Sequence, residues 1–247
     1  AYETPPFTVR ALLVREPRIA FARLLADTAC GPGVIAHELK NYWPTEFKGE
    51  NAHRDLQLIR DNWNNLYNLD SGKFRRPRLV VASDIRAGGH LYQDAHQGID
   101  FLDPQSYQAN TFDAACNNPP FKLTKEFIER LADVTKPHGL FAIFQRVQLK
   151  EGSDRFRDIW SKKWLRRYYQ FSSRVNCYPE GQVDHRVNGQ FAFGWYIFEK
   201  CYKGRYEGDF INDTFRDYGH GALLPQQAGL CDYCKHTRFK GECAPLL

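Results

Sequence analysis

The 247 residues contain no methionine, no long apolar run, and no charged opening followed by an apolar stretch. A membrane helix needs about 18 consecutive apolar residues, so that class of span is excluded. The opening from Ala1 shows no secretory leader pattern. Without methionine, motif order is a sturdier guide than loop length, because one omitted residue would change a spacing. An even cysteine set is missing too: there are seven. With no secretory context, they point to a reducing cytoplasm rather than a disulfide framework. Strong net charge is also absent. The balance of +5 does not imply nucleic acid by itself, although positive charge clumps at KFRRPR (73–78) and KKWLRRYY (162–169). Such clumps beside aromatics suit a phosphate backbone with bases to stack, or equally two solvated faces.

What is present is an alternation of apolar strands and amphipathic helices, with no internal repeat. VRALL opens a helix, and FARLLADTAC carries a short apolar run into a small-residue turn. GPGVIAHELKNYW reads as a helix, with Val34, Ile35, Leu39 and Tyr42 near one face. Residues 43–78 form an insertion in which Leu56, Ile59, Trp63 and Leu66 fall at helical spacing. RLVVASDI, QGIDFLDP, TFDAACN and LFAIFQRVQL read as strands. KLTKEFIERLADVT is an amphipathic helix with Phe127, Ile128, Leu131 and Val134 on one side. DRFRDIWSKKWLRRYYQF is expected to be helical. GQFAFGWYIFEK is a late aromatic strand in which Phe191, Phe193, Trp195 and Ile197 alternate as core residues do. Continuously apolar strands separated by helices predict a mostly parallel α/β sheet, doubly wound, with helices on both faces. The expected layout is an α/β domain over 1–202 and an irregular tail over 203–247.

DTACGPG follows a strand and precedes a helix. Gly31 and Gly33 let backbone approach a ligand, and the helix start adds free N–H groups. RLVVASD ends on Asp84, an acid placed to accept from two ribose hydroxyls. QGIDF places Asp100 and Phe101 at the end of a third strand, where a carboxylate accepts from an adenine amino group and a phenyl ring covers the base. No GxGxxG is present, since Ala36 and His37 stand where a third glycine would help. The set therefore predicts a nucleoside-bearing cofactor without a pyrophosphate.

CNNPPF (116–121) ends a buried strand on an amide, two rigid rings and a phenyl face. Proline cannot extend a ladder, so the strand stops there. An amino group on a conjugated ring is a poor nucleophile because its lone pair is delocalised. The Asn118 amide oxygen and the Pro119 carbonyl can accept its two hydrogens and favour a pyramidal nitrogen. Pro119 and Pro120 keep that carbonyl rigid, and Phe121 offers a face for the base.

In these motifs the sequence resembles the S-adenosylmethionine-dependent amino-methyltransferases, whose motif is (Asn/Asp/Ser)-Pro-Pro-(Tyr/Phe/Trp). It looks most like the phage and bacterial DNA adenine-N6 methyltransferases. The ordered matches are ETPPFTVRALL, DTACGPG, SDI, GIDFL, FDAACNNPPFKLTKEF and FAFGWYIFEK, over roughly residues 3–200. The resemblance implies a seven-stranded Rossmann-like sheet with a last antiparallel strand. It implies S-adenosylmethionine against Asp27, Cys30, Gly31 and Gly33, with Asp84 and Ile85 at the ribose and Asp100 and Phe101 at the adenine. Thr4 stands at the methionine end, and Asn118, Pro119, Pro120 and Phe121 form the catalytic loop.

The stretch between Gly33 and Asp84 departs from the family in length, and no large recognition domain separates the glycine turn from NPPF. Recognition of DNA falls to the insertion, to 150–190 or to the tail. Within 150–190 and just beyond, Arg174, Tyr178, His185, Arg186 and Trp195 could form a loop over a flipped base. Arg146 ends a strand beside the site, as a phosphate or base contact or in a surface salt bridge. Related motifs act on guanine N2 or adenine N6 in RNA and on a protein glutamine amide, so those substrates stay open. In the tail, CDYCKHTRFKGEC sets Cys231, Cys234, His236 and Cys243 at spacings that suit zinc, or leaves incidental thiols. A catalytically inactive zinc-bearing nucleic-acid module is the remaining alternative. Oligomeric state is not legible.

Overall fold

The computed structural model describes residues 3–63, 78–89, 91–177, 191–213 and 215–218. Its strands are β1 (Leu24–Asp27), β2 (Leu79–Asp84), β3 (His96–Gln97), β4 (Phe112–Asn117), β5 (Thr135–Arg146), β6 (Leu165–Phe171), β7 (Phe193–Glu199) and β8 (Glu207–Ile211). They form one sheet in the order β3-β2-β1-β4-β5-β7-β6-β8. β1 to β5 pair in parallel. β7 inserts antiparallel between β5 and β6.

The sheet is covered on both faces, which is why its strands are apolar throughout rather than alternating. On β5, Leu140, Ala142 and Phe144 face one core, shared with α1 (Pro6–Leu13), α2 (Pro17–Ala20) and α3 (Val34–Asn41). Phe141 and Ile143 face the other, shared with Phe127, Ile128 and Leu131 of α5 (Thr124–Val134). β7 divides in the same way: Phe193, Trp195 and Ile197 on one side, Tyr196 and Phe198 on the other. Each of the Leu, Ile and Phe side chains among these contributes roughly 1.5–3 kcal/mol by leaving water.

Three expectations are corrected. The sheet has eight strands, not seven, because Glu207–Ile211, expected to open an irregular tail, pairs in parallel with β6. The helix expected over DRFRDIWSKKWLRRYYQF stops early: α6 spans Ser153–Asp158, and β6 follows. Lys163 adopts a left-handed turn (φ 58°) that breaks the helical path, and LRRYYQF has the bulky, aromatic content of a strand. In QGIDFLDP only Gln97 is in a strand, and Asp100 and Phe101 sit in the turns after it.

The described part of the insertion contains α4 (Glu50–Trp63). Its inward positions Ala52, Asp55, Leu56 and Ile59 keep a helical period; Leu66 lies outside the described residues. Asp55 is fully buried, as are Glu16 at the start of α2 and Arg167 on β6. The Arg167 guanidinium donates to Asp55 at 2.7 and 3.0 Å and to Glu16 at 2.9 Å, and the Tyr169 hydroxyl donates to Glu16 at 2.9 Å. This cluster fastens α4 to the sheet.

Candidate active site

Strand order reverses at β1, whose neighbours are β2 and β4, so a crevice opens beyond the carboxyl ends of these strands. The chain leaves β1 at Asp27 and turns through residues 28–33 into α3. Gly31 and Gly33 take left-handed backbone (φ 51° and 86°). A Cβ on Gly33 would lie 2.3 Å from the Tyr92 ring, so only glycine fits there. The Tyr92 N–H donates to the Gly31 carbonyl at 2.9 Å, and the Cys30 N–H to the Ser83 carbonyl at 3.0 Å. These bonds tie the turn to the end of β2 and to the loop between β2 and β3.

Asp27 is buried beneath this turn and accepts from the Ala36 N–H of α3 at 3.1 Å. Burial pushes its carboxyl up to about 8. Burial likewise pushes the Cys30 thiol up, so it stands as a neutral side chain. Asp84 caps the turn from the other side. Its Oδ2 accepts from the Gly31 N–H at 2.9 Å, and Arg86 donates to both oxygens. Burial alone would raise the Asp84 carboxyl, but the hydrogen bonds from Arg86 and Gly31 outweigh it and hold it below the usual range. Ile85 beside it is 63% exposed.

Asp100 is exposed, and its carboxylate accepts from its own turn at the Leu102 N–H, 2.9 Å away. Phe101 points into the core, 2% exposed, against Phe127 and Tyr107 at ring separations of 5.2 and 6.1 Å. The accessible apolar surface next to Asp84 is therefore Ile85, not Phe101.

β4 delivers the second half of the site. It pairs with β1 in parallel, so residues 117–121 emerge beside residues 28–33. Turned with its oxygen toward the turn, the Asn117 amide accepts from the Thr28 and Ala29 N–H groups at 2.8 and 3.2 Å. The next residue, Asn118, donates from Nδ2 to the Thr4 hydroxyl at 3.0 Å. That bond holds the Asn118 side chain against the segment before α1. Buried Gln145 donates to the Thr124 hydroxyl at 2.9 Å and approaches the Pro119 carbonyl at 3.4 Å. It thus joins the proline turn to the start of α5. Phe121 is partly exposed, and Arg146 lies over its ring at 4.0 Å and over Phe191 at 3.7 Å. The Arg146 Nε is buried with no hydrogen-bond partner among the described residues.

Thr4, Asp27, Cys30, Gly31, Gly33, Asp84, Ile85 and residues 118–121 thus gather at one edge of the sheet. Sequence reasoning passed over Asn117, Tyr92, Arg86 and Gln145. The signal for Gln145 was available: a polar residue closing the apolar run LFAIF at the same edge.

Other expectations resolve differently. Trp195 is a core residue, fully buried, with its indole N–H on the Thr8 carbonyl at 2.8 Å. The clump KKWLRRYY is not an open basic face. Arg167 lies in the buried cluster, Arg166 donates to Glu199 at 2.5 Å, and Lys162 donates to Glu129 at 2.6 Å. Arg174 is exposed; Tyr178, His185, Arg186 and residues 73–77 lie outside the described residues, as do Cys231, Cys234, His236 and Cys243. Among the described residues no group of three or more His, Cys, Asp or Glu side chains could hold a metal ion, and no helix is long and apolar enough to cross a membrane.

No protein-family model matches the chain, and no curated protein does. Solved structures do. The type IIG restriction endonuclease BpuSI superposes with a TM-score of 0.51 at 14% identity, over 84% of this chain and 26% of that one. The M protein of the type I restriction enzyme EcoKI gives 0.49 at 12% identity, over 81% and 44%. A predicted O-methyltransferase from Agrobacterium tumefaciens gives 0.45 at 11% identity, over 84% and 86%. The chain spans about a quarter of the first and under half of the second. Strand order, the antiparallel β7 and the superposition on the first agree that the fold is the Rossmann-like methyltransferase fold.

Proposed function

We propose that this chain uses S-adenosylmethionine to methylate an exocyclic amino nitrogen, adenine N6 in DNA. The observation that carries the reading is the Asn118–Pro119 pair at the end of β4. The Asn118 amide is held by the Thr4 hydroxyl, and the Pro119 carbonyl is braced by Gln145, beside the glycine turn.

The residues beside that pair suit the cofactor. Gly31 and Gly33 open backbone toward a ligand, Asp84 is an ionised carboxylate at the end of β2, and exposed Ile85 offers an apolar face to a base. When bound, S-adenosylmethionine supplies an electrophilic methyl group on a sulfonium.

The chain's own part is to prepare the amine. The Asn118 oxygen and the Pro119 carbonyl each accept one amino hydrogen, which draws the nitrogen lone pair out of the ring. A carbonyl has two lone pairs, so the bond from Gln145 leaves room for the amine on Pro119. Phe121 stacks on the base and sets its plane. Holding the amine in line accounts for most of the acceleration, since proximity and orientation alone are worth up to ~7–11 kcal/mol. The surplus proton leaves to water after transfer, so no strong base is required. A base inside a duplex cannot reach such an edge, and the target is taken from a single strand or flipped out. The choice of DNA rests on the resemblance of NPPFKLTKEF.

The test is incubation with methyl-labelled cofactor and separate DNA, RNA and protein pools, followed by nucleoside mass analysis. The expected product is N6-methyladenine in DNA. Label in RNA or protein alone would move the substrate, and no label in any pool would remove the activity.

A further inference from the structure

Asp84 is saturated within the protein. Its Oδ1 accepts from the Arg86 backbone N–H at 3.0 Å and from Arg86 Nε at 2.9 Å. Its Oδ2 accepts from the Gly31 N–H at 2.9 Å and from Arg86 Nη2 at 3.2 Å. A carboxylate offers about four acceptor positions, and all four are taken. Two of the donors are backbone amides, Gly31 in the glycine turn and Arg86 just past β2. The other two are the fork of the Arg86 guanidinium, which meets the two carboxylate oxygens in parallel. A vicinal diol presents its two O–H donors to a carboxylate in the same pattern. A ribose cannot add its bonds here without displacing the guanidinium.

The guanidinium is also the part able to leave. The Arg86 side chain is 41% exposed, against 7% for Asp84. It lies on the glycine turn, where a Cβ on Gly31 would come within 3.4 Å of its Nη2. The chain beyond it runs through Gly88 and Gly89, both in left-handed backbone with nothing packed within 4 Å of where a Cβ would sit. The backbone there is held by the Gly98 N–H on the Arg86 carbonyl at 3.1 Å and the Gly88 N–H on the Gln97 side-chain oxygen at 2.8 Å, so it is the Arg86 side chain, not the segment, that would swing away.

We propose that the Arg86 guanidinium occupies the ribose-diol positions of Asp84 in the free protein, is displaced by the diol of the bound nucleoside, and so sets the affinity of this site. The inference rests on Asp84 being the ribose carboxylate of the proposed function. A half-exposed ion pair contributes modestly, so releasing it tightens binding by about three- to tenfold.

The test is calorimetry with S-adenosyl-L-homocysteine on the full chain. Arg86→Gln removes the charge and the fork on a shorter polar side chain, and it should bind about three- to tenfold tighter than wild type. Arg86→Lys keeps the charge without the fork and should fall between. Thermal unfolding of each variant confirms that the fold is intact. Added salt should tighten binding to wild type, because it screens the exposed pair, and should leave Arg86→Gln without that gain. A purely structural arginine would give no such salt signature. Arg86→Gln binding as wild type does, or more weakly, overturns the displacement while leaving the cofactor site standing. Wild-type protein that fails to bind, or Asp84→Asn that binds as well as wild type, overturns both.

Discussion

Two polar clusters in this molecule are built in opposite ways. Arg167 lies three strands along the sheet from Asn118, buried with Glu16, Asp55 and Tyr169. Arg167 bonds fully buried Glu16 and Asp55, which come from the start of α2 and from α4, and it reaches Glu207 of β8 at 3.4 Å. At the other cluster, Asp84, Asn118 and Gln145 sit where strands end and loops begin. Their bonds orient groups at an edge that loops, rather than core, surround. A charge enclosed on all sides binds parts of the fold to one another. A carboxylate or amide held at a strand end, beside left-handed glycines and an exposed Ile85, is where the proposed function puts its ligand.

The largest test of that contrast is Arg167→Ala, which leaves Glu16 buried without its counter-charge and Asp55 with the more distant Arg166 at 3.7 Å. It should lower stability by about 3–5 kcal/mol in urea unfolding, and cofactor affinity in the surviving folded fraction should be unchanged. A marginal loss would mean the cluster does not fasten α4. Asn118→Ala should do the reverse: methyl transfer falls by at least ~10²–10³-fold while cofactor affinity stays within a few-fold and the unfolding midpoint barely moves. Retained turnover would take Asn118 out of its role. Asp84→Ala should weaken cofactor binding about 10- to 100-fold, the value of one or two charge-assisted hydrogen bonds. An unchanged dissociation constant refutes that assignment.

The smallest effect concerns Asp27, which lies beneath the site but is enclosed like the Arg167 cluster. Its carboxyl stands near 8 against an ordinary 3.8. The folded protein therefore holds a proton that the unfolded chain gives up from about pH 4 upward. This contribution to stability is whole below pH 4 and is lost as pH rises toward 8. Asp27→Asn removes the slope. Its stability relative to wild type should improve by up to about 1.4 kcal/mol between pH 7 and 8, read from unfolding curves at each pH. A gap that is constant with pH would show that Asp27 titrates normally.

The parts of this picture that were legible in the sequence are those with a local cause. NNPPF ends a strand because proline cannot continue one, and the helix over 124–134 follows from its apolar stripe. Asp84 closes an apolar run, so its place at a strand end could be read directly. The rest depends on pairing across distance. LRRYYQF was expected to continue the helix begun at DRFRD. Only the buried Glu16 and Asp55, 151 and 112 residues away in sequence, make Arg167 acceptable inside a sheet. Glu207–Ile211 is polar enough to pass for a tail, and becomes a strand because β6 presents an open edge. Phe101 looked like a cover for a base, whereas Phe127 of α5 draws it into the core. Gln145 and Arg86 gain meaning only when β5 and β2 are set beside β4 and β1.

The central claim is that residues 28–33, Asp84 and Asn118 form one site for a nucleoside-bearing methyl donor. The most direct measurement is a crystal structure with S-adenosyl-L-homocysteine. The account predicts the ribose hydroxyls on the Asp84 carboxylate, with Arg86 displaced, and the sulfur facing Asn118. A ligand bound away from the glycine turn, or a ribose with no contact to Asp84, would contradict it.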